Sequence, residues 1–429
     1  MTNADGGTVD YELEMWARTV LIGSSEPRPY DKVRAYRILA RVNPHAYQAH
    51  LVKALLEFSY RDGRRSSAPG RLTLLEEMAT AVRAVPAGEH RRGELAVHAL
   101  GAYQRDLYAL GRRAEGLAVR TEMAAACRLA LAAGDRGWVE WGLRTWAHGL
   151  AEEGRHDEAA AALTELLDVT LPEDNWGTTI WDRLSLIAEL EAAGRTGEAI
   201  TRLSTLLDED RVKMATDRTS LGDVFRTLIW HARLLDHAGR RDDAGAARHE
   251  ALGLLRRLAA TGEPQNWSGG QYTSAGVLLA VQARDAEPHT TGRPRPALGV
   301  APTDWSPDLR ERYFDESGLT RCGAPAVGRP GTLLDRARRE PDLAERAALR
   351  RRVAIRTGVY GLWHHGHRFL EPTLPAFHNS VDAARQLHSH APGGRPALAH
   401  ALTDRTVILI AGHRYAEALD DYQEALALA

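Results

Sequence analysis

Apolar residues recur along most of this 429-residue chain at spacings of three and four positions. Leu163 and Leu166, for example, are matched by Leu203 and Leu206 further along. This spacing places apolar side chains on one face of an α-helix, and the surrounding Ala, Leu, Arg and Glu residues are strong helix formers. The alternation of apolar and polar residues that is typical of strands is hard to find anywhere. The pattern therefore predicts an all-α protein.

A recurring Gly-Arg pair interrupts the helical pattern. Four phrases contain it, LGRRAEGLAV, EGRHDEAAAAL, AGRTGEAITRL and AGRRDDAGAAR. Their glycines lie 43, 40 and 45 residues apart, at Gly111, Gly154, Gly194 and Gly239. A fifth copy, AGHRYAEALDDYQEALAL, begins at Ala411. The regular separation predicts a repeated structural unit.

Each unit is expected to be two helices joined by a short turn. Glycine adopts, at little cost, the left-handed conformation that ends many helices. Acidic residues such as Asp157 and Glu158 then suit the positive end of the second helix. A small residue follows where the two helices cross, because a larger side chain would push them apart; these residues are Ala159, Ala199, Ala244 and Ala418.

These phrases resemble tetratricopeptide repeats. The family pattern has Gly about five residues before a small Ala, then a bulky residue four positions on and another three after that. Two copies fill these positions with Gly154, Ala159, Leu163, Leu166 and with Gly194, Ala199, Leu203, Leu206. The terminal copy matches the pattern best, with Tyr415, Ala418, Tyr422 and Ala425.

Two copies depart from the family pattern, since Gly116 replaces the Ala in the first and Arg248 replaces a bulky residue in the fourth. The spacing also exceeds the family period of about 34 residues, which implies longer helices or loops, so the chain is best described as TPR-like. The resemblance covers roughly residues 97–258 and 397–429. It implies a right-handed α-solenoid of antiparallel helix hairpins.

The sequence as a whole predicts a chain of four segments. Residues 1–96 form N-terminal hairpins that continue the solenoid, 97–283 the TPR-like array, 284–331 a Pro/Gly-rich loop or lid, and 332–429 C-terminal hairpins with a terminal TPR-like unit. Apolar residues within the Pro/Gly-rich segment favour docking on the helices over a disordered linker: Trp305, Leu309, Tyr313 and Phe314. The helices predicted from apolar spacing in the N-terminal third and after the Pro/Gly-rich segment are Tyr11–Ile22, Pro29–Val42, Pro44–Tyr60, Arg71–Ala84, Arg91–Leu110, Leu333–Arg338 and Leu343–His365.

Composition narrows the function classes. The 55 Lys and Arg residues balance 57 Asp and Glu, so direct nucleic-acid binding is not expected, although a local basic patch stays open. Cys127 and Cys322 are too few and too distant for a disulfide framework or a zinc quartet, which suits the cytoplasm. No apolar run reaches the roughly 20 residues of a membrane helix, and the polar N-terminus has no signal core.

Arginine supplies almost all of the positive charge, because only three residues of the chain are lysine. Codon usage in a GC-rich bacterial genome is one explanation. The other is that any anion site here is built from guanidinium groups, which bind oxyanions through two parallel hydrogen bonds.

Motifs of catalysis are missing from the sequence. It contains no phosphate-binding loop ending in Lys-Ser/Thr, no dinucleotide fingerprint, no nucleophile elbow and no His-Glu-x-x-His. This absence favours a non-enzymatic protein but leaves catalysis open, and we expect no cofactor. Seven histidines do cluster, which suggests either a metal or pH-sensing site or, as we favour, surface and helix-capping roles: His364, His365, His367, His378, His388, His390 and His400.

The resemblance also implies which side chains bind a ligand, because certain first-helix positions of tetratricopeptide repeats point into a concave groove. Aligned on the Gly position, these are His98, Arg105, Tyr108; Trp141, Arg144, His148, Glu152; Trp181, Ala188, Glu191; and Arg226, Ile229, Arg233, Asp236, His237. Arginine with aromatic residues is the composition of interface hot spots. Some family members clamp a terminal carboxylate with basic residues here; the counterparts would be Arg105, Arg144 and Arg233, without the family's Asn.

The leading hypothesis is a non-enzymatic scaffold, of the regulatory or signalling adaptor kind, that binds a protein or peptide partner with an acidic segment or a free carboxylate. The alternative is an enzyme or small-molecule-binding protein that uses the central groove with residues 284–331 as a lid. Individual groove arginines have a simpler explanation, which is pairing with Glu152, Glu191 or Asp236. The wholly apolar run Val407–Ile410, followed by an uncapped last repeat, also suggests a homodimer through the C-terminal hairpins.

Overall fold

The computed structural model describes residues 11–23, 26–61, 68–86, 88–89, 91–134, 138–170, 176–264, 270–287, 293–318, 331–391 and 393–428. Within these ranges the chain forms nineteen α-helices and no strand, so the all-α prediction is confirmed. Chain contacts divide it into two units, and the division falls between Gly149 and Leu150. The predicted four-segment organisation stays a prediction.

The first unit comprises residues 1–149 with 306–308. Each of its first five helices packs against the next along the chain. The helices are α1 Tyr11–Ile22, α2 Pro29–Val42, α3 Pro44–Arg61, α4 Ala68–Arg83, α5 Arg92–Ala109, α6 Arg113–Ala132 and most of α7 Val139–Glu152. The predicted bounds of α1 and α2 match. Those of α4 and α5 differ by one to three residues at each end, and α3 starts as predicted and ends one residue later.

The second unit contains the remaining helices. They are α8 His156–Val169, α9 Trp176–Ala192, α10 Thr196–Met214, α11 Leu221–His237, α12 Arg241–Thr261, α13 Gly270–Gln282, α14 Pro307–Ser317 (less its first two residues), α15 Leu333–Arg339, α16 Leu343–His365, α17 Leu370–His390, α18 Gly394–Ala411 and α19 Tyr415–Leu428. Short 3-10 turns occupy Arg284–Ala286 and Gly366–Arg368.

Packing in the second unit follows the chain from α8 to α12 and again from α15 to α19. Helix α13 joins the two series, since it packs on α11, α16 and α18, and α19 returns to pack on α12. Phe225 of α11 meets Tyr422 of α19 edge to face at 5.0 Å between ring centroids. The fifth repeat copy therefore lies beside the fourth, although about 170 residues separate them in sequence.

The Gly-Arg turns have one backbone geometry. Gly111, Gly154, Gly194 and Gly239 have φ between 73° and 76°, the left-handed region that L side chains rarely adopt. In the second copy the N–H of Gly154 donates to the carbonyl of Ala151 (3.0 Å), and that of Arg155 to the carbonyl of Leu150 (2.9 Å). This pair of bonds is the Schellman motif, and the same pair recurs at the other turns.

Side chains repeat as regularly as the turns. The arginine after each left-handed residue forms an ion pair with an acidic residue three positions on: Arg112–Glu115, Arg155–Glu158, Arg195–Glu198, Arg240–Asp243 and Arg414–Glu417. The crossing residues Ala159, Ala199, Ala244 and Ala418 are fully buried. In the fifth copy His413, with φ 59°, takes the position that glycine holds in the others. These shared features define a helical repeat.

The Pro/Gly-rich segment contributes buried residues to the described part of the second unit. The side chains of four of its residues are buried: Trp305, Leu309, Tyr313 and Phe314. The ring of Phe314 stacks on Trp363 of α16 at 5.7 Å. Residues 288–292 and 319–330 of this segment lie outside the described ranges.

No helix in the described part of the chain combines the length and the apolar character needed to cross a membrane.

Candidate functional site

Three of the predicted groove residues in the first unit lie together. His98 and Arg105 of α5 and Trp141 of α7 line one pocket of about 300 Å³. We call it the aromatic–arginine pocket; its lining is Ser59, Tyr60, Arg71, Leu75, His98, Gly101, Ala102, Arg105, Trp138 and Trp141. The pocket thus combines side chains from α3, α4, α5 and the start of α7.

The aromatic wall of this pocket depends on close contacts with α5. A Cβ atom on Gly101 would lie 2.4 Å from the indole of Trp141, so only glycine allows this indole to rest on the helix. The imidazole of His98 packs edge to face on Trp138 at 4.4 Å between ring centroids. Trp138 itself has φ 66°, an uncommon backbone conformation for a large side chain.

Much of this aromatic surface faces solvent. Tyr60 is 61% exposed and Trp138 is 47% exposed. Water-exposed aromatic side chains grouped around a concavity are typical of binding surfaces, since burial of such rings contributes large contact area with few rotatable bonds. The pocket therefore offers apolar area to a ligand.

Charge in the pocket is positive. Arg71 donates to Asp106 at 2.7 Å and is neutralised by it. The pKa of Asp106 is raised by burial, against the opposing effects of Arg71 and Arg105. Arg105 is exposed and makes no hydrogen bond or ion pair with another described residue. Its guanidinium is available to an oxyanion of the ligand.

Other predicted residues of the first unit lie elsewhere. Tyr108 is fully buried, with the guanidinium of Arg120 at 4.2 Å from its ring centroid. His148 is buried too, and burial followed by the positive charges of Arg144 and Arg120 lowers its pKa to about 3. Arg144 is half-buried. Ligand binding by these residues stays a prediction, and the burial of Tyr108 and His148 gives both a place in the core.

In the second unit, the predicted groove residue Glu191 is the centre of a buried network. Its carboxylate forms an ion pair with Arg233 at 2.7 Å and accepts a hydrogen bond from the indole N–H of Trp230 at 3.0 Å. Arg284 approaches it at 3.8 Å. The pairing of Glu191 with Arg233 is the simpler explanation that the sequence allowed for this arginine.

The remaining predicted residues of this unit do not share one surface. Arg226 is fully buried and forms an ion pair with Asp223. Trp181 is half-buried on α9, and His237 is exposed at the end of α11. The structure therefore brings together only part of the predicted set.

A larger cavity of about 560 Å³ lies in the second unit. We call it the α11–α18 cavity, because residues of both helices line it. Three groove positions predicted on α11 belong to it, Ile229, Arg233 and Asp236. The rest of the lining is Ala232, Arg241, Arg248, Gln282, Arg351, Pro396, Ala399, His400, Thr403, Asp404, Tyr422, Ala425, Leu426 and Leu428.

Most charges around the α11–α18 cavity neutralise each other. Arg351 lies between Asp404 at 2.7 Å and Asp285 at 3.2 Å, and Arg248 pairs with Asp236. Partial burial, followed by the positive charge of Arg351, lowers the pKa of His400. Arg351 and Arg248 are therefore largely neutralised by their partners and would attract an anionic ligand only weakly.

Two polar atoms of the cavity lining nevertheless have no described partner. The Nε of Arg233 and the Oε1 of Gln282 are buried without a hydrogen bond to any described residue. Such a pair, one donor and one acceptor, costs stability unless a ligand or water satisfies it. Arg241 is exposed at the same cavity and has no ion pair among the described residues.

Several pocket residues were missed by the sequence reasoning. Tyr60, Arg71 and Trp138 belong to the aromatic–arginine pocket but precede or lie between the repeat phrases, so alignment to the Gly position does not reach them. The short Trp138–Trp141 spacing was the available signal. For the histidine cluster, no three His, Cys, Asp or Glu side chains of the described ranges lie together as a metal site would require.

Comparisons with known proteins give no family. No family model matches the chain, and no curated protein matches it. Among solved structures, the chain is similar to one described as a "circular tandem repeat protein with novel repeat topology and enhanced subunit contact surfaces", at 14% identity over 97% of this chain and 95% of that one. The TM-score of 0.17 is too low for this likeness to support an argument.

Proposed function

We propose that this protein is a non-enzymatic binding scaffold, an adaptor that holds a peptide segment of a protein partner in the aromatic–arginine pocket. One observation carries the proposal: exposed Tyr60 and Trp138 stand beside an arginine, Arg105, that has no ion-pair partner among the described residues. Aromatic rings supply contact area, and a guanidinium fixes the orientation of a carboxylate. The expected ligand joins an apolar side chain to an acidic side chain or a free C-terminus.

The pocket suits a segment better than a whole folded surface. Its volume of about 300 Å³ accommodates one or two side chains. A partner would insert those side chains and use neighbouring contacts only for complementarity, as interface hot spots usually do. In this proposal the hairpins are divergent tetratricopeptide repeats in a right-handed stack, and the protein is cytoplasmic, in keeping with its two distant cysteines.

The test is selection of peptides from a random display library on immobilised full-length protein. We expect enriched sequences that pair an aromatic or aliphatic residue with an acidic group. Binding of synthetic versions should fall about tenfold or more in Tyr60→Ala, Trp138→Ala and Arg105→Gln, because each change removes about 1.4 kcal/mol or more.

The first unit offers matched controls. Tyr30 is 60% exposed, almost the same as Tyr60, and Arg41 is an exposed arginine of α2. Tyr30→Ala and Arg41→Gln should leave peptide affinity unchanged. Equal affinities in the pocket variants and the controls would exclude this pocket as the binding site.

A second candidate function is binding of a small molecule in the α11–α18 cavity. The buried, unsatisfied Arg233 Nε and Gln282 Oε1 favour it, and about 560 Å³ lies within the range of small-molecule sites. Ala399 lines the cavity and is only half-buried, so Ala399→Phe would fill space without a large packing conflict. A compound that is released from wild-type protein on denaturation, and is missing from Ala399→Phe, would support this function; its presence in both would contradict it.

The homodimer through α18 and α19 remains a proposal. Contacts of α19 with α12 and α18 cover part of its surface, and the apolar run Val407–Ile410 is buried. Light scattering at micromolar concentration tests the dimer, and a monomer mass would refute it.

A further inference from the structure

A third cavity, of about 480 Å³, is lined by six arginines of the second unit. We call it the arginine pocket and define it by Arg293, Arg295, Arg312, Arg336, Arg352 and Arg356. The Pro/Gly-rich segment supplies the first three, α15 the fourth and α16 the last two. The only carboxylates in its described lining are Glu287 and Glu316.

Those two carboxylates are already held by Arg356. This guanidinium donates to both oxygens of Glu287, at 2.9 and 2.8 Å, and lies 3.3 Å from Glu316. Burial alone would raise the pKa of Glu287, but the hydrogen bond and charge of Arg356 leave it lowered, so Glu287 is ionised. Arg356 also donates to the carbonyl of Tyr313 and lies over its ring, which fixes it in place. It is a structural residue of the pocket wall.

The positive charge of the other five arginines exceeds the negative charge that Glu287 and Glu316 leave unpaired. Arg352 reaches Glu287 only at 3.4 Å, and its Nε is buried without a hydrogen-bond partner among the described residues. Arg295 has no carboxylate partner there and approaches His156 at 3.4 Å. Arg312 donates to the carbonyl of Pro294, and Arg293 is exposed without an ion pair to any described residue.

Burial and neighbouring positive charge lower the pKa of two arginines of the arginine pocket. Burial lowers the pKa of Arg295, and the neighbouring Arg284 lowers it further. Burial likewise lowers the pKa of Arg352, and repulsion from Arg356 works in the same direction. Partly buried positive charges in excess of their partners destabilise a protein unless an anion offsets them.

We propose that the arginine pocket binds a compact, multiply charged oxyanion of the phosphate type, as carried by a phosphorylated small molecule. Guanidinium groups match phosphate oxygens through paired hydrogen bonds, and Arg352, Arg295 and Arg293 present unused donors around one cavity. Leu298, Leu309 and Leu333 form an apolar wall for an uncharged part of the ligand. The cavity volume fits a small molecule. This pocket shares no residue with the two sites described above.

The experiment is isothermal titration calorimetry of the full chain with inorganic pyrophosphate, with acetate as a singly charged comparison. Wild-type protein should bind pyrophosphate saturably with one site per chain, and acetate at least about a hundredfold more weakly. Arg352→Gln should weaken pyrophosphate binding about tenfold or more, and Arg352→Lys by less, because lysine keeps the charge but not the planar donor pair.

A second variant distinguishes a loss of binding from a loss of folding. Arg293 and Arg312 are exposed, so Arg293→Gln/Arg312→Gln should fold normally and still lose about tenfold or more in affinity. Arg256→Gln, a change at an exposed arginine of α12, is the control and should bind like wild type. Absence of saturable pyrophosphate binding, or equal weakening by the control and the pocket variants, would overturn the proposal. So would binding of a phosphoserine peptide with none of pyrophosphate, because that result would assign the site to a phosphoprotein partner.

Discussion

His148 gives the sharpest test of the packing in the first unit. Its side chain is 4% exposed, its Nε2 has no hydrogen-bond partner among the described residues, and two guanidinium groups, those of Arg144 and Arg120, lie near it. Burial and these charges lower its pKa to about 3. The folded protein therefore holds His148 neutral at every pH at which the protein is usually handled.

The size of the effect follows from the difference between the folded and unfolded pKa values. An unfolded histidine has a pKa of about 6.5. Between that value and the folded pKa the unfolded state binds more protons, so the free energy of unfolding falls as the pH is lowered through this window. At 1.36 kcal/mol per pKa unit, His148 should remove about 2 kcal/mol between pH 7 and pH 5, and about 5 kcal/mol in total by pH 3.

The assay compares urea unfolding of wild type and His148→Gln at pH 7, 6 and 5. Glutamine does not titrate, so the variant should lose about 2 kcal/mol less than wild type over this range. Both proteins carry the same distant titrating groups, so the effects of those groups cancel when the two pH dependences are subtracted. His390→Gln changes an exposed histidine at the end of α17 and should follow wild type. Parallel pH dependence of wild type and His148→Gln would refute the burial of a neutral imidazole here.

Three further predictions test the repeat unit and its network by thermal or urea unfolding. Gly154→Ala should destabilise the protein by about 1–2 kcal/mol because residue 154 has φ 75°. Gly197→Ala, in open space on α10, should stabilise it by up to about 1 kcal/mol. A change of the same sign in both variants would contradict a left-handed helix cap at Gly154. Ala159→Leu, at a fully buried crossing, should cost about 1–3 kcal/mol, and Ala161→Leu, on the exposed face of the same helix, close to nothing. Glu191→Gln should cost about 3–5 kcal/mol because it leaves a buried guanidinium uncompensated, and a loss below about 1 kcal/mol would show that this pair is not structural.

The sequence was sufficient for features that depend on near neighbours in the chain. The bounds of α1, α2 and α16 follow from apolar spacing, Pro and capping residues, and the structure confirms them. The left-handed turn at Gly154 and the burial of Ala159 follow from backbone sterics and helix crossing. All of these are set within about ten residues, where local propensity and periodicity operate.

Contacts between distant residues were beyond this reasoning. Alignment to a family groove assumes that every hairpin has the same interior, yet Gly116 replaces Ala in the first copy. A Cβ on Gly116 would lie 2.7 Å from the ring of Tyr108, so the missing methyl group is what lets Tyr108 fill the core. The return of α19 to α12 depends likewise on packing across about 170 residues, which no local pattern encodes.

The arginines separate into two classes, and this separation decides which of them can report on function. Buried guanidiniums with close carboxylate partners, such as Arg351 and Arg356, hold helices together, and their removal would leave a buried carboxylate unpaired and damage the fold. Arg105, Arg241 and Arg293 are exposed at three separate cavities and have no ion pair within the described ranges. Because their replacement costs the fold little, a loss of binding in these variants would measure the contact with a ligand itself. The use of arginine rather than lysine in this chain therefore bears on function only at Arg105, Arg241 and Arg293.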